Sequence, residues 1–281
     1  MSDFLEQVVA SRREYVRETK ARRPAEDLLR ETKERRGAPG QFVRRLRDRS
    51  HLGMLAVIAE VKRTSPALGT LAGPGLSAGE QALRYEAAGA TAISVLTEPK
   101  FWGGSIDDLK EVRAAVTIPV LCKDVIVDEY QIVEAAAAGA DAVLLIAEAL
   151  SDDEIRALRR RAESLGMTVF VEAHESVAFG RAVASGALVV GVNARNLRDP
   201  KEIDIGRARQ LHTFVQGQQI LVAESGIGSV DDARLLPARV DAVLVGTALM
   251  RADDPAPLIQ GLAGIRRPRP HERTTVGVIE R

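Results

Sequence analysis

Eight short apolar runs alternate along the chain with longer amphipathic stretches, and this alternation restricts the possible folds more than any other feature. Each run is too brief for a helix and is rich in Val, Ile and Leu. The runs occupy residues 57–62, 91–97, 119–124, 142–147, 168–173, 188–193, 220–225 and 242–247. Near-continuous apolar strands that alternate with helices indicate a parallel sheet with helices on its faces. We therefore predict an α/β fold, a (β/α)8 TIM barrel with an N-terminal helical extension.

Glycines mark the ends of three predicted helices. Gly89, Gly139 and Gly186 each stand between small residues just before an apolar run. Glycine readily adopts the left-handed conformation that ends many helices. Helices are expected over residues 78–88, 107–115, 129–138, 152–165 and 176–184. An open doubly wound sheet is the alternative, but no GxGxxG follows the first strand, which disfavours it.

Residues 1–50 differ in pattern from the rest of the chain. Apolar residues at roughly helical spacing before and after Pro24 predict two amphipathic helices in this N-terminal extension. Its many arginines are interleaved with acidic residues, which is typical of a solvated helical face. We expect the barrel to occupy residues 51–265, and the polar, proline-containing segment 266–281 to form a flexible tail.

Charge and cysteine content disfavour several classes of function. Lys+Arg and Asp+Glu each number 39, so no excess of positive charge would attract nucleic acid or an acidic membrane surface. We therefore expect neither nucleic acid nor a membrane as a partner. The single cysteine, Cys122, rules out an internal disulfide and fits a reducing compartment. Because no signal peptide and no apolar stretch of membrane-spanning length are recognisable, a cytoplasmic protein is expected.

Charged and polar side chains lie at the predicted carboxyl ends of several strands. In a (β/α)8 barrel these ends converge on the mouth that carries the active site. The residues concerned are Glu60, Lys62, Lys123, Glu172, Asn193, Arg195, Glu224 and Ser225. Burying so many charges is tolerable mainly when they pair with each other or with a ligand. Two lysines and several carboxylates in one pocket would supply general acids and bases with pKa values shifted by burial and by one another.

Glycines follow the seventh and eighth runs and predict an anion site. Ser225-Gly226 and Gly246-Thr247 leave backbone N–H groups free to approach an anion, and a short helix beginning near Thr247 would point its positive end at the same place. A phosphorylated small-molecule substrate is therefore predicted. The sequence shows no metal-ligand spacing, so neither a metal nor another cofactor is expected. His174 is interpreted as a helix-start residue and not as a base.

Several segments, taken in order, resemble one family. They are residues 58–66, 94–98, 101–105, 123–128, 171–172, 191–197 and 224–227. Together they are similar to the indole-3-glycerol-phosphate synthase family, over roughly residues 3–262. The resemblance implies a barrel with N-terminal helices. It also implies ring closure of 1-(2-carboxyphenylamino)-1-deoxyribulose 5-phosphate, with loss of carbon dioxide and water, in tryptophan biosynthesis.

The resemblance implies a role for each residue of the site. Lys123 would be the general acid that protonates the ketone oxygen, and Glu172 would stabilise the developing positive charge or move a proton during dehydration. Lys62, held by Glu60, would orient the substrate and could share the acid role, so the division between the two lysines stays open. The other implied positions are Asn193 and Glu224 for substrate hydroxyls, Ser65 and Arg195 for the anthranilate carboxylate, Phe101, Leu144 and Ile227 for the aromatic ring, Ser225, Gly226, Gly246 and Thr247 for the phosphate, and Gly69, Gly73 and Gly75 in a lid.

Three positions depart from the family pattern. Val125 stands where an aromatic residue is common, Ala194 where a second asparagine is common, and Thr247 where serine is common. None of these changes removes a proposed proton donor or acceptor. They leave open a paralogue that acts on a related substrate in a specialised indole pathway. A non-catalytic barrel that binds a phosphorylated ligand is a further alternative.

An isomerase of the same barrel type, such as phosphoribosylanthranilate isomerase, is the rival enzyme class. It would need a cysteine or aspartate base at the end of the first strand, where this chain has Glu60 and Lys62. Cys122 directly precedes Lys123, and neighbouring residues on a strand face opposite sides. We therefore expect Cys122 to pack away from the barrel interior. Separately, we expect the protein to be a monomer.

Overall fold

The computed structural model describes residues 3–32, 38–71, 75–215 and 217–272, and its centre is a closed barrel of eight parallel strands. The strands in chain order are β1 (Ala56–Val61), β2 (Thr64–Ser65), β3 (Gly69–Thr70), β4 (Ala92–Leu96), β5 (Val120–Lys123), β6 (Ala142–Ile146), β7 (Thr168–Ala173), β8 (Val189–Asn193), β9 (Ile220–Glu224) and β10 (Ala242–Val245). β2 and β3 form a separate antiparallel hairpin, and the other strands follow the order β1-β10-β9-β8-β7-β6-β5-β4 before closing onto β1. The predicted TIM barrel is confirmed, and each predicted run overlaps one of its strands.

Alternate residues along each strand face opposite sides of the barrel wall. In β7, Phe170 packs inside the barrel, whereas Val169 and Val171 pack outward beneath the helices. The strands are buried on both sides, which explains why they appear in the sequence as near-continuous apolar runs. The register pairs Asn193 with Glu224, so polar residues of neighbouring strands reach the same level at the carboxyl end.

Helices follow the barrel strands, and side-chain caps set the start of several of them. The helices are α1 (Phe4–Arg22), α2 (Ala25–Glu31), α3 (Gln41–His51), α4 (Ala78–Ala87), α5 (Pro99–Trp102), α6 (Ile106–Ala115), α7 (Glu129–Ala137), α8 (Asp152–Ser164), α9 (Ser176–Ala184), α10 (Arg207–Leu211), α11 (Val230–Arg234), α12 (Thr247–Arg251) and α13 (Ala256–Ala263). Ser77 and Ser151 each complete a capping box with the glutamate three residues later. Within the described ranges, no helix is long and apolar enough to cross a membrane.

The N-terminal extension contains three helices, so the prediction of two was wrong. The missed helix is α3, whose sequence is dominated by charged residues. Its Phe42 and Leu46 are fully buried and join the inner core with Ala56 and Ala242, the first residues of β1 and β10. The helix therefore closes the amino-terminal end of the barrel. Two buried side chains one helical turn apart are enough to hold it there, although they are a weak pattern in the sequence.

The first part of the predicted tail packs against the barrel. The N–H of Arg267 donates to the carbonyl of Gly53 at 2.9 Å, and its guanidinium donates to the carbonyl of Ala233 at 2.7 Å. Met54 forms an isolated antiparallel bridge with Arg266. The arginine is a further donor to a carbonyl at the end of α11 that also accepts the N–H of Leu236, and these contacts attach the start of the tail to the barrel. Residues 273–281 of the predicted tail lie outside the described residues.

Candidate active site

The carboxyl ends of the strands surround a cavity of about 390 Å³. All of the charged side chains predicted from the strand ends line this cavity or lie directly beneath it. Its lining includes Glu60, Lys62, Lys123, Glu172, Asn193, Arg195 and Ser225, and Glu224 contacts Lys123 from below. The volume lies within the range of small-molecule sites. The structure thus brings together residues that lie as much as 165 positions apart in the chain, from Glu60 to Ser225.

Lys123, at the end of β5, is the centre of the charge cluster. Its Nζ lies 2.9 Å from Glu224 Oε2, 3.4 Å from Glu60 Oε2 and 3.8 Å from Glu172 Oε2. Burial acts to lower the pKa of Lys123, but the three carboxylates outweigh burial, so the pKa of the lysine lies above its ordinary value. Lys123 is therefore an ammonium at neutral pH and has a proton to donate.

Glu60 lies between the two lysines. Lys62 Nζ lies 2.8 Å from Glu60 Oε1, and Lys123 approaches the other oxygen. Burial acts to raise the pKa of Glu60, but the two ammonium groups overcome it and hold the pKa below its usual value. Glu60 is therefore a fixed anion that orients both lysines.

The pKa of Glu172 is shifted in the opposite direction to that of Glu60. Burial, together with the nearby Glu224, raises the pKa of Glu172 well above its usual value, and Lys123 only partly offsets this. Among the described residues, Glu172 Oε2 has no hydrogen-bond partner, and Asn193 Nδ2 approaches Oε1 at 3.5 Å. A carboxyl whose pKa is raised by burial holds its proton more strongly than an exposed glutamate does, and it can exchange that proton with a bound molecule.

Two glycines that contact the carboxylates have roles that the sequence analysis did not assign. A Cβ atom at Gly191 would lie 2.5 Å from Glu224 Oε1 and the same distance from a ring carbon of Phe170. A Cβ atom at Gly246 would lie 2.2 Å from Glu60 Oε1. Gly191 interrupts a strand, which is the usual sequence sign of a close approach. Gly246 was assigned only to the phosphate, but it also leaves room for the Glu60 carboxylate.

The predicted phosphate residues lie on neighbouring strand ends. Ser225 and Gly226 follow β9 in left-handed conformations, with φ of 66° and 72°. Gly246 and Thr247 follow β10, and Thr247 begins α12 as expected. All four residues line the cavity, and so does Arg251, the last residue of α12. The side chain of Ser225 also donates a 2.9 Å hydrogen bond to the amide oxygen of Asn193, so this end of the cavity is joined to the charge cluster.

Some of the residues predicted to contact the anthranilate carboxylate and the aromatic ring of the substrate line the cavity. Ser65, Arg195 and Leu144 line it, and burial lowers the pKa of Arg195. Phe101 is not one of the lining residues. Its ring packs edge-on against Phe4 of α1 at a centroid distance of 5.2 Å, and the cavity wall is formed by its neighbour Trp102.

The loop after β1 contains the hairpin of β2 and β3. Ser65 and Leu68 from this loop line the cavity, although Leu68 is also exposed to solvent. Gly69 and Gly75 adopt positive φ values of 72° and 128°, as the lid prediction requires of glycine-rich turns. Gly73, the third glycine of the predicted lid, lies outside the described residues.

Residues set aside in the sequence analysis also have clear positions. Cys122 packs outward in the layer between strands and helices, as expected, and burial raises the pKa of its thiol to about 12. His174 follows β7, and its Nδ1 lies 2.8 Å from the carbonyl oxygen of Asn193. Of the positions that depart from the family pattern, Val125 lines the cavity, whereas Ala194 does not. The loss of an amide side chain at Ala194 therefore leaves the lining of the main cavity unaffected.

A closed barrel of eight parallel strands with paired lysines and glutamates at its carboxyl mouth defines a (β/α)8-barrel enzyme with an acid–base site. The family model described as indole-3-glycerol phosphate synthase matches residues 5–262. The chain belongs to the indole-3-glycerol phosphate synthase family. Its activity is accordingly that of a decarboxylating, ring-closing lyase of tryptophan biosynthesis.

Curated relatives agree with the family assignment, and a solved structure agrees with the barrel fold. The chain is 41% identical to an indole-3-glycerol phosphate synthase of Polaromonas sp., an alignment that covers 94% of this chain and 100% of the relative. It is 51% identical to one from Nocardioides sp. over 75% of this chain and 80% of the relative. Among solved structures, a 3-hexulose-6-phosphate synthase superposes with a TM-score of 0.59 at 18% identity, covering 74% of this chain and 98% of the other. That likeness shows the shared barrel fold.

Proposed function

We propose that the lysine and glutamate cluster performs the ring closure of 1-(2-carboxyphenylamino)-1-deoxyribulose 5-phosphate, with Lys123 as the general acid. The observation that carries the proposal is the contact of the Lys123 ammonium with three buried carboxylates. Because these carboxylates keep the lysine protonated, it can deliver a proton to the ketone oxygen as the aromatic ring carbon attacks the ketone carbon. Loss of carbon dioxide then restores the aromatic ring, and loss of water completes the indole.

Glu172 suits the dehydration step. Burial and Glu224 raise its pKa, so it holds a proton more readily than Glu60, whose pKa the two lysines lower. Removal of the hydroxyl as water needs a proton delivered to oxygen and a proton removed from carbon. We assign Glu172 to this proton exchange. Once ionised, its carboxylate also stabilises positive charge on the anilino nitrogen.

The remaining residues bind and orient the substrate. Lys62, fixed by Glu60, would orient it beside Lys123, and Asn193, which lines the cavity, would hold its hydroxyl groups. The sequence also predicts Glu224 for a hydroxyl, but its carboxylate lies outside the cavity lining and contacts Lys123. Ser65 and Arg195 suit the anthranilate carboxylate, because a half-buried guanidinium attracts an anion strongly. The phosphate would lie against the turn at Ser225 and Gly226 and the start of α12 at Gly246 and Thr247, and the aromatic ring would lie against Trp102 and Leu144.

The proposal is tested by the fluorescence of indole-3-glycerol phosphate formed from this substrate. Wild-type protein should form product, and Lys123→Ala should bind substrate without turning it over. A matched control is Lys110→Ala, which removes an exposed lysine paired with Asp107 on α6. Equal turnover by wild type and Lys123→Ala would remove Lys123 from the mechanism. Absence of product with wild type would contradict the proposed reaction itself.

We also propose that the protein acts as a monomer in the cytoplasm. The single cysteine fits a reducing compartment, and because it is buried it offers no exposed thiol for a disulfide between two copies. Light scattering coupled to size-exclusion chromatography would test the first point, with a mass near 30.3 kDa expected. A mass of twice this value would contradict it.

A further inference from the structure

A buried ion pair connects the N-terminal extension to the residue that follows Lys123. Arg12 lies on α1, and only 2% of its surface is exposed. Its Nη2 donates a 2.8 Å hydrogen bond to Asp124 Oδ2. Asp124 is also buried, and it is joined directly to Lys123 by a peptide bond. The extension therefore contacts the barrel next to the residue at the centre of the active site.

The same carboxylate is held by a second residue that also holds Lys123. Thr97 Oγ1 donates to Asp124 Oδ2 at 2.9 Å, and the Thr97 N–H donates to the carbonyl oxygen of Lys123 at 3.1 Å. The other oxygen, Asp124 Oδ1, accepts the N–H of Val125 at 2.7 Å. The backbone on the carboxyl side of Lys123 is therefore fixed by hydrogen bonds to Thr97, the residue after β4, and, through Asp124, by the guanidinium of Arg12.

Arg12 is itself held in one orientation. Its guanidinium lies 4.0 Å from the centroid of the Tyr15 ring on the same helix. The Tyr15 hydroxyl donates a 2.7 Å hydrogen bond to Glu134 of α7. Arg12 is thus fixed between α1 and the helix that follows β5, and it aims at Asp124 without freedom to turn toward solvent.

The ion pair makes Asp124 dependent on Arg12. Burial raises the pKa of Asp124 to about 6, with Arg12 acting against this rise. A buried carboxylate that loses its cation is strongly destabilised, so it takes up a proton or turns toward water. Either response would release the segment that carries Lys123.

We propose that Arg12 is a positioning residue for Lys123 that acts through Asp124. The inference rests on the proposed function, because Lys123 is taken as the general acid. Lys123 must hold its ammonium within hydrogen-bond reach of both Glu224 and the substrate ketone. A displacement of a catalytic group by about 1 Å can lower the rate on the order of 100-fold. Arg12 does not touch the cavity, so its effect should fall on turnover and not on substrate binding.

The first test is Arg12→Met, which keeps the length of the side chain and removes its charge. We expect kcat to fall by about 10- to 100-fold with KM changed by less than about threefold. Arg12→Lys keeps a positive charge but loses the planar guanidinium, so its kcat should lie between that of wild type and that of Arg12→Met. The matched control is Lys20→Met, which breaks a 2.7 Å ion pair from the same helix to Asp128, a more exposed residue further along the same loop. Lys20→Met should keep wild-type kcat.

A double variant separates a positioning role from a general loss of stability. If Arg12 acts through Asp124, then Arg12→Met combined with Asp124→Asn should have the kcat of Asp124→Asn alone. If the double variant instead loses kcat by the product of the two single-variant decreases, the inference is overturned. If Arg12→Met fails to fold, the comparison uses Asp124→Asn, which leaves no unpaired carboxylate, and an unchanged kcat there overturns the inference.

The outcomes distinguish this inference from the proposed function. Thermal unfolding of each variant shows that the measured protein is folded at the assay temperature. Product from wild type together with an unchanged kcat for Arg12→Met would overturn the positioning role and leave the proposed function intact. Failure of wild type to form product would overturn the proposed function, and the role of Arg12 with it.

Discussion

Lys62 and Lys123 share one carboxylate, because each approaches a different oxygen of Glu60. The two lysines differ in their other partners. Lys123 also contacts Glu224 and Glu172, whereas the ion pair that the structure records for Lys62 within the described ranges is with Glu60. The lysine with three carboxylates is therefore the one whose protonated state is most strongly fixed.

This difference predicts a division of the acid role that the sequence left open. Lys123→Met should lower kcat by about 10²- to 10⁴-fold, the usual contribution of a general acid. Lys62→Met should mainly raise KM, because it removes an orienting charge but leaves the acid in place. Steady-state kinetics of both variants would measure this. The reverse result, a collapse of kcat only in Lys62→Met, would give the acid role to Lys62.

The raised pKa of Glu172 predicts a dependence of stability on pH. Between the usual value near 4.5 and its raised value, the folded protein binds the proton that the unfolded chain releases. Stability should therefore fall as pH rises through this window. Glu172→Gln stays neutral and should escape this loss, so its Tm should rise relative to wild type above pH 4.5.

Thermal unfolding of wild type and Glu172→Gln between pH 4.5 and 8 would measure this difference. Each kcal/mol of unfolding free energy corresponds to about 2–4 °C in Tm for a domain of this size. Glu26→Gln, on the exposed side of α2, is the control and should follow wild type. A constant difference between Glu172→Gln and wild type across this range would contradict the raised pKa.

Gly246→Ala should damage the site through Glu60. The added Cβ would lie 2.2 Å from Glu60 Oε1, so the carboxylate must move away from Lys62. We expect a loss of about 1–3 kcal/mol in unfolding free energy, as for other overpacked sites, and a large fall in kcat/KM. Gly228→Ala is the matched control, since its nearest contact would be an ordinary 3.6 Å from Asp232. Equal activity in the two variants would show that Glu60 is free to shift.

Thr247→Asp should weaken substrate binding. A carboxylate at the start of α12 would repel the phosphate proposed to lie there and would compete for the same N–H groups. KM should rise about tenfold or more, with a smaller effect on kcat. Thr247→Ser keeps the hydroxyl and should behave as wild type. An unaltered KM in Thr247→Asp would mean that the phosphate lies elsewhere.

Trp102→Ala and Phe101→Ala should have different effects. Trp102 lines the cavity, so its loss should raise KM by removing a wall of the ring site. Phe101 packs against Phe4, so its loss should mainly lower Tm. Kinetics and thermal unfolding of the two variants would measure this. A larger rise of KM in Phe101→Ala would return the ring contact to Phe101, as the sequence analysis had it.

The barrel and the meeting of its charged residues were predictable for one physical reason. Strands buried on both faces must be apolar, so a polar residue at the end of such a run marks the place where the strand leaves the core. Parallel strands leave the core on the same side, so Glu60, Lys123, Glu172 and Glu224 had to converge. Their convergence did not depend on any detail of packing.

Which of two neighbouring side chains faces the cavity, and whether a mainly charged segment forms a buried helix, were not predictable in this way. Phe101 and Trp102 belong to the same short helix, and both rings pack edge-on against Phe4 of the distant α1, but Trp102 lines the cavity and Phe101 does not. α3 was missed because its burial depends on the open end of the barrel, and its own sequence has only a few apolar side chains. In both cases the contacts come from a remote part of the chain.

The sequence by itself determined the order of the barrel strands, the barrel, the chemical types at its mouth and the family. These follow from local periodicity and from motifs whose order along the chain is visible without coordinates. Only the tertiary structure decided the upward shifts in the pKa values of Lys123 and Glu172, the close approach of Gly246 to Glu60, and the contact of Arg12 with Asp124 across 112 residues. Charge states and contacts depend on burial and on distances in space, and folding sets these by joining residues that the sequence keeps far apart.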